Sequence, residues 1–122
     1  MIESNPQTAE SFSEKGLAEL TAGSFLEAAA AFRAAIAANP EHTEAHHGLI
    51  RALRDAGQLN QSVAAAMALT ALTPADPLAH TALSISLQAA GFVPEAEAAA
   101  ARARVHERKH QLQSLPEKDS LS

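Results

Sequence analysis

The residues of this sequence that are best suited to specific chemistry are histidines at helical spacing. His42 and His46 lie four residues apart, His47 follows directly, and Glu41 and Glu44 lie among them. Two imidazoles at positions i and i+4 face the same side of a helix, a spacing found in transition-metal sites. A metal site also needs further ligands and, for catalysis, an open position. The spacing alone does not settle whether this cluster binds a metal, and packing is the interpretation that we favour.

A second pair at the same spacing, His106 and His110, lies near the carboxyl end. It is surrounded by four basic residues, Arg102, Arg104, Arg108 and Lys109. Their positive charge repels a cation, which makes a metal site less favourable. The segment is typical of a solvated helix face balanced by acidic neighbours, and contact with an anionic partner is the alternative interpretation.

Catalysis finds little support in the sequence. There is no glycine-rich phosphate loop and no Gly-x-Ser-x-Gly nucleophile elbow. The chain also has no cysteine, which excludes thiol nucleophiles, disulfides and thiolate zinc sites. We predict that the protein is not an enzyme and uses no cofactor.

The charge balance argues against a nucleic-acid partner. The formal net charge is -5, whereas nucleic-acid binding relies on clustered Lys and Arg. Residues 1–44 carry seven carboxylates and two cations, so the amino-terminal third is the acidic end. No apolar run approaches the ~20 residues that span a bilayer, and the polar amino end lacks the pattern of a signal peptide. We therefore expect a cytoplasmic protein that neither binds nucleic acid nor inserts into a membrane.

Composition and an internal repeat indicate which elements carry these residues. The chain has 30 alanines and only 4 aromatic residues, which favours closely packed helices over a sheet. Gly23, Gly57 and Gly91 are 34 residues apart, and Pro40 and Pro74 keep the same offset. Because glycine ends helices and proline separates them, this spacing predicts a helix–turn–helix unit repeated three times.

Apolar residues recur at helical spacing in six segments. The predicted helices cover residues 9–22, 25–38, 43–56, 59–72, 77–90 and 94–112. Ala28, Ser62 and Ala96 occupy the same position in the three units, and all three are small. Small side chains at matched positions let the two helices of a unit approach closely.

With these features the sequence resembles the tetratricopeptide repeat, a 34-residue helix pair with characteristic glycine, alanine, aromatic and proline positions. Signature positions are occupied by Gly23, Ala28, Phe32, Pro40, Gly57, Pro74, Gly91 and Ala96. His46 and His80 stand where the family has a packing aromatic, so we interpret both as core or partly buried residues. Arg108 replaces the closing proline of the third unit, which predicts that the last helix continues past the repeat.

The resemblance implies an all-α fold, a right-handed superhelical solenoid of three helix–turn–helix repeats with an extended C-terminal helix. The predicted units are an N-terminal segment at 1–8, repeats at 9–42, 43–76 and 77–110, and the end of the last helix with a disordered tail at 111–122. A single unit cannot bury its apolar face, so stability is expected to come from stacking of neighbouring units.

If the units stack as in the family, the first helix of each lines a concave groove. The residues predicted to bind a partner there are Glu14, Leu17, Leu20, His47, Arg51, Arg54, Leu78, Ile85 and Gln88. Arg51 and Arg54 stand out because a guanidinium can hold a carboxylate through two parallel hydrogen bonds. The alternative is a solvated pair with Asp55, and exposed pairs contribute only ~0–1 kcal/mol.

These observations favour an adaptor that binds a peptide or helix of another protein in the groove and so assembles a complex. One alternative is a self-assembling scaffold, in which the acidic first unit of one copy meets the basic last helix of another. A second alternative is a secretion-type chaperone for one client protein. The sequence lacks the Lys, Asn and Arg set with which the heat-shock co-chaperones of this family hold a terminal carboxylate, so that ligand is not expected.

Overall fold

The computed structural model of the protein describes residues 8–115, and these residues form six α-helices and the turns between them. The helices are α1 (Ala9–Thr21), α2 (Phe25–Ala38), α3 (Thr43–Asp55), α4 (Leu59–Leu72), α5 (Pro77–Ala89) and α6 (Val93–Gln113). Each predicted helix is found, with bounds that differ by one residue at most. Residues 1–7 and 116–122, which hold most of the predicted N-terminal segment and the predicted tail, lie outside the described part.

The helix ends follow from residues that recur every 34 positions. Thr8, His42 and Asp76 cap α1, α3 and α5, and each side chain accepts a hydrogen bond from a backbone N–H of the first turn. The same three helices end before a glycine with positive φ, and the angles are 82° at Gly23, 79° at Gly57 and 90° at Gly91. Glycine adopts this conformation without the steric cost that a Cβ brings.

The six helices pack in chain order, each against the next, so they form three consecutive hairpins. The first helices of the hairpins also contact one another, α1 with α3 and α3 with α5. Stacking of this kind places α1, α3 and α5 side by side on one surface. The predicted fold class is confirmed as an all-helical repeat solenoid.

Phe32 joins the first two hairpins. The ring is completely buried in a cluster that includes Leu49 and Leu53 of α3. It lies against the backbone of Gly16 on α1 and of Gly48 on α3. A Cβ built on Gly16 would come within 2.7 Å of the ring, and one built on Gly48 would come closer still. Both glycines are therefore needed for the ring to occupy this position.

A second cluster joins the last two hairpins, and its centre is partly polar. Ile50, Leu69 and Leu83 are buried together there. The Ser62 hydroxyl lies within this region, donates to the Ile50 carbonyl oxygen at 3.0 Å, and is 2.7 Å from the Ser86 hydroxyl. Both serine side chains are fully buried, and the bonds satisfy them while linking α4 to α3 and α5.

His46 and His80 support the repeat junctions. The Nε2 atom of each ring donates to a proline carbonyl oxygen six residues upstream, Pro40 for His46 and Pro74 for His80, at 2.7 Å in both cases. His80 is buried and His46 is half-buried. The interpretation of these two histidines as packing residues is confirmed.

The last helix is longer than the others. α6 spans 21 residues, and its buried residues end at Ala103. The predicted continuation beyond the third repeat is confirmed. None of the helices in residues 8–115 is both long and apolar enough to cross a membrane.

Substitution of Gly48 by alanine tests the packing around Phe32. Gly→Ala inside a helix is normally stabilising by about 1 kcal/mol. Here the added methyl group meets the buried ring, so we expect a loss of about 1–3 kcal/mol in the free energy of unfolding, measured by urea denaturation.

Phe32→Leu provides the control for this prediction. It removes the ring that the methyl group meets, so the double variant should be less destabilised than the sum of the two single variants. Additive effects, or a Gly48→Ala variant more stable than the wild type, would contradict the packing described here.

Candidate functional site

The surface formed by α1, α3 and α5 carries two adjoining depressions, which together we call the groove. The first lies between α1 and α3 and is lined by Ser13, Leu17, Leu20, Glu44, His47, Gly48 and Arg51. The second lies between α3 and α5 and is lined by His47, Ile50, Arg51, Arg54, Leu78, Thr81, Ala82 and Ile85. Because His47 and Arg51 line both depressions, the groove is continuous across α3.

Large apolar side chains are exposed at both ends of the groove. Leu17 on α1 is 52% exposed, and Leu78 and Ile85 on α5 are 64% and 46% exposed. Other residues of the same helices, Leu20 and Leu83 among them, are buried in the solenoid and hold the two helices in place. Full burial of a leucine or isoleucine side chain is worth about 1.5–3 kcal/mol, so a ligand that covers these residues gains binding free energy at each end.

The middle of the groove is charged. Arg51 forms an ion pair with Asp55 one turn later, with 3.5 Å between Nε and Oδ2, and its side chain remains 64% exposed. The solvated pair considered from the sequence is therefore present. An exposed pair of this kind contributes ~0–1 kcal/mol, so a carboxylate ligand can compete with Asp55 for the guanidinium.

Arg54 adds a second cation one turn from Arg51. It lies half-buried in the last turn of α3 and has no ion-pair partner within residues 8–115. Glu44, in the first turn of α3, lines the other depression. The charge of the groove thus changes along α3, from Glu44 in its first turn to Arg51 and Arg54 towards its end.

His47 lies between these charges. Burial lowers the pKa of His47, the Asp76 carboxylate partly opposes this shift, and the neighbouring His46 adds to it. The imidazole is therefore mostly neutral at pH 7 and is a hydrogen-bonding group rather than a third cation there.

Seven of the nine predicted groove residues line the two depressions. They are Leu17, Leu20, His47, Arg51, Arg54, Leu78 and Ile85. Glu14 and Gln88 are exposed on α1 and α5 but line neither depression. Contact of any of the nine residues with a partner stays a prediction.

Ile50 lines the groove although the sequence did not single it out. It is almost fully buried and belongs to the second core cluster, so its apolar character indicates the core. Ile50 lies three residues after His47 and four before Arg54, so all three share one face of α3. This spacing is the signal that could have placed Ile50 at the groove.

Two histidines of the cluster on α3 form hydrogen bonds with the backbone. His42 Nδ1 accepts the N-cap hydrogen bond from the Ala45 N–H at 3.2 Å, and His46 Nε2 is bonded to Pro40. Within residues 8–115 no group of three His, Asp or Glu side chains is assembled that could hold a metal ion.

One pattern on α6 was missed by the reasoning from the sequence. His106, Glu107 and His110 have the His-Glu-x-x-His spacing of zinc metalloproteases. In that class two histidines bind the metal, a third ligand comes from elsewhere, and the glutamate is the general base. His106 instead stacks on His80, with ring centroids 5.0 Å apart, and α6 brings no third ligand to the pair from the described residues.

The family is shown by comparison with known sequences. The family model described as tetratricopeptide repeat matches residues 19–86, which is more than half of the chain. The chain belongs to the tetratricopeptide repeat family. No curated protein matches it significantly.

Solved structures share the fold at low sequence identity. A crystal structure of MamA has a TM-score of 0.79 and 20% identity, and the alignment covers 88% of this chain and 63% of that one. This chain therefore spans less than two thirds of the length of MamA. The secretion translocator chaperone SycD of Yersinia enterocolitica has a TM-score of 0.75 and 17% identity, covering 98% of this chain and 85% of its own. A chain of the CopN-Scc3 complex has a TM-score of 0.73 and 22% identity, with coverage of 80% and 58%.

The pKa of His47 provides a test of the electrostatics of the groove. An NMR titration of the imidazole should give a midpoint below the ordinary value of about 6.5. Because the folded protein protonates His47 less readily than the unfolded chain, this side chain lowers stability as the pH falls below about 6.5 and has no such effect above it.

Asp76→Asn is the matched variant, since an asparagine side chain can still cap α5. Loss of the carboxylate should lower the pKa of His47 further. A wild-type midpoint at or above 6.5, or a higher midpoint in Asp76→Asn, would contradict the assigned causes.

We predict that His106 and His110 do not bind a metal, although they have the His-Glu-x-x-His spacing. The two imidazoles lie beside Arg108 and Lys109, and residues 8–115 bring no third ligand to them. We expect equimolar zinc to leave the thermal midpoint unchanged in both the wild type and His110→Ala. A rise in the wild type that disappears in His110→Ala would show a metal site at this pair and contradict the prediction.

Proposed function

We propose that the groove binds a segment of a partner protein that carries a carboxylate between two apolar side chains. The observation that supports this proposal is the order of the groove residues. Exposed apolar side chains lie at the two ends, on α1 and α5, and Arg51 and Arg54 lie between them on α3. A ligand with the complementary order satisfies both kinds of group at once.

The scaffold favours such binding because the groove is held open by packing. The buried faces of α1, α3 and α5 are fixed by the two core clusters, so the exposed faces keep their spacing without a ligand. A bound segment therefore loses conformational entropy, while the protein loses little.

The role that fits this binding mode is that of an adaptor, which uses one groove to bring a partner into a complex. This role assigns the protein-binding function of the family to specific residues of the groove. We infer that the groove holds acidic segments. Arg51 lines both depressions, and Arg54 lies beside it in the depression between α3 and α5.

A chaperone for one client protein is a second candidate. It is favoured by the likeness to SycD, described as a translocator chaperone, over 98% of this chain. This role uses the same groove, and it differs from an adaptor in that a single client protein would be held.

Selection from a random peptide library displayed on phage tests the proposed ligand. The wild type should enrich peptides with Asp or Glu between apolar residues. Arg51→Glu combined with Arg54→Glu should weaken the binding of selected peptides at least tenfold, equivalent to about 1.4 kcal/mol, measured by fluorescence anisotropy.

The matched control is Arg104→Glu combined with Arg108→Glu, which makes the same change of charge on α6, outside the groove. It should bind the selected peptides as the wild type does. Peptides without acidic residues, or equal loss of binding in both double variants, would refute the proposed binding mode.

A further inference from the structure

The outer face of α6 differs in character from the equivalent faces of α2 and α4. Ala29 of α2 is buried and Val63 of α4 is half-buried, whereas the residue 34 positions further on, Glu97, is exposed. Ile36 of α2 packs against the first core cluster, and its counterpart in α6, Arg104, is exposed. These charged residues make α6 unsuited to stacking with another repeat through apolar contacts alone.

The second half of α6 nevertheless exposes apolar side chains in line. Val105 and Leu112 are seven residues apart on one side of the helix and are 52% and 58% exposed. Arg104 and Arg108 lie beside Val105 along the same shallow depression. The exposed surface of this half-helix thus carries two apolar side chains two turns apart, with Arg108 and Lys109 between them on the same face.

The opposite end of the solenoid has complementary features. A depression between α1 and α2 has alanines, Ala30, Ala31 and Ala34, and the half-buried Phe12 in its lining. Two carboxylates, Glu19 and Glu27, line it as well.

This depression is separate from the groove. Its residues belong to α1 and α2 only, and none of them lines the groove. Lys15 also lines it, so two carboxylates outnumber a single ammonium group. The small side chains leave room for larger apolar ones, and the surface is acidic.

We propose that copies of this chain associate head to tail, with the second half of α6 of one copy lying in the α1–α2 depression of the next. Val105 and Leu112 then cover the alanines, and Arg104 and Arg108 face Glu19 and Glu27. Because the two surfaces are different, every added copy leaves one of each free, so the contact builds open chains or closes a ring.

Charge argues for this arrangement over a symmetric pair of α6 helices. A symmetric pair would bring together two copies of a segment with four cations, Arg102, Arg104, Arg108 and Lys109, and one carboxylate, Glu107. Like charges at such a contact oppose association, whereas the α1–α2 depression supplies carboxylates. Exposed charges lie on both surfaces, so the contact should weaken strongly as salt is raised.

The weight-average mass in sedimentation equilibrium tests the proposal. At low salt the mass of the wild type should rise with concentration above the monomer value of 12.7 kDa. It should return to that value at about 1 M salt, where the Debye length is about 3 Å. A wild type that is monomeric at every concentration, or whose weight-average mass does not depend on salt concentration, would overturn the proposal.

Two variants reverse the charge of one surface each. Arg104→Glu with Arg108→Glu changes α6, and Glu19→Lys with Glu27→Lys changes the depression. Each variant alone should remain monomeric, because its two surfaces then carry the same sign of charge. An equimolar mixture of the two should assemble again, because each altered surface meets its complement on the other variant.

The single variants separate this contact from other modes of self-association. Assembly of the Glu19→Lys, Glu27→Lys variant by itself would mean that the depression is not the binding surface, and the proposal would be wrong. Arg51→Glu with Arg54→Glu is the control, since it changes the groove and should assemble as the wild type does. Helical circular dichroism should be unchanged in all variants, so a loss of assembly is not a loss of fold.

Discussion

The packing of one aromatic ring against two glycines sets the geometry on which the rest of the solenoid depends. Phe32 is completely buried between Gly16 and Gly48, so α2 touches the backbones of α1 and α3 together. The ring therefore determines the distance between the first helices of two successive hairpins. Gly48 also lines the groove, which means that the core contact and the proposed binding surface share one residue.

The second junction is held in another way. Ala66 takes the place that Phe32 has in the first repeat, and here Ser62 and Ser86 add hydrogen bonds to the apolar contacts between α3, α4 and α5. Buried hydroxyl groups are tolerated there because each has a hydrogen-bond partner. The solenoid thus combines an apolar junction with a partly polar one, and the groove crosses both.

Binding of a partner and association of copies would use different surfaces of the same molecule. The groove lies on the first helices of the hairpins, whereas the acidic depression and the basic half of α6 lie at the two ends. A chain of copies would present its grooves repeatedly along one assembly, which raises the effective concentration of binding sites for a partner with several acidic segments.

The sequence by itself determined the repeat, the helices and most of the groove. The 34-residue offset of Gly23, Gly57 and Gly91 and the helical spacing of apolar residues are local signals, and local hydrogen bonds and side-chain periodicity decide where helices begin and end. Tertiary structure alone decided which residues share a surface. Ile50 reached the groove, and His106 stacked on His80 instead of completing a metal site, because the distance between side chains on different helices depends on packing, which no spacing along the chain records.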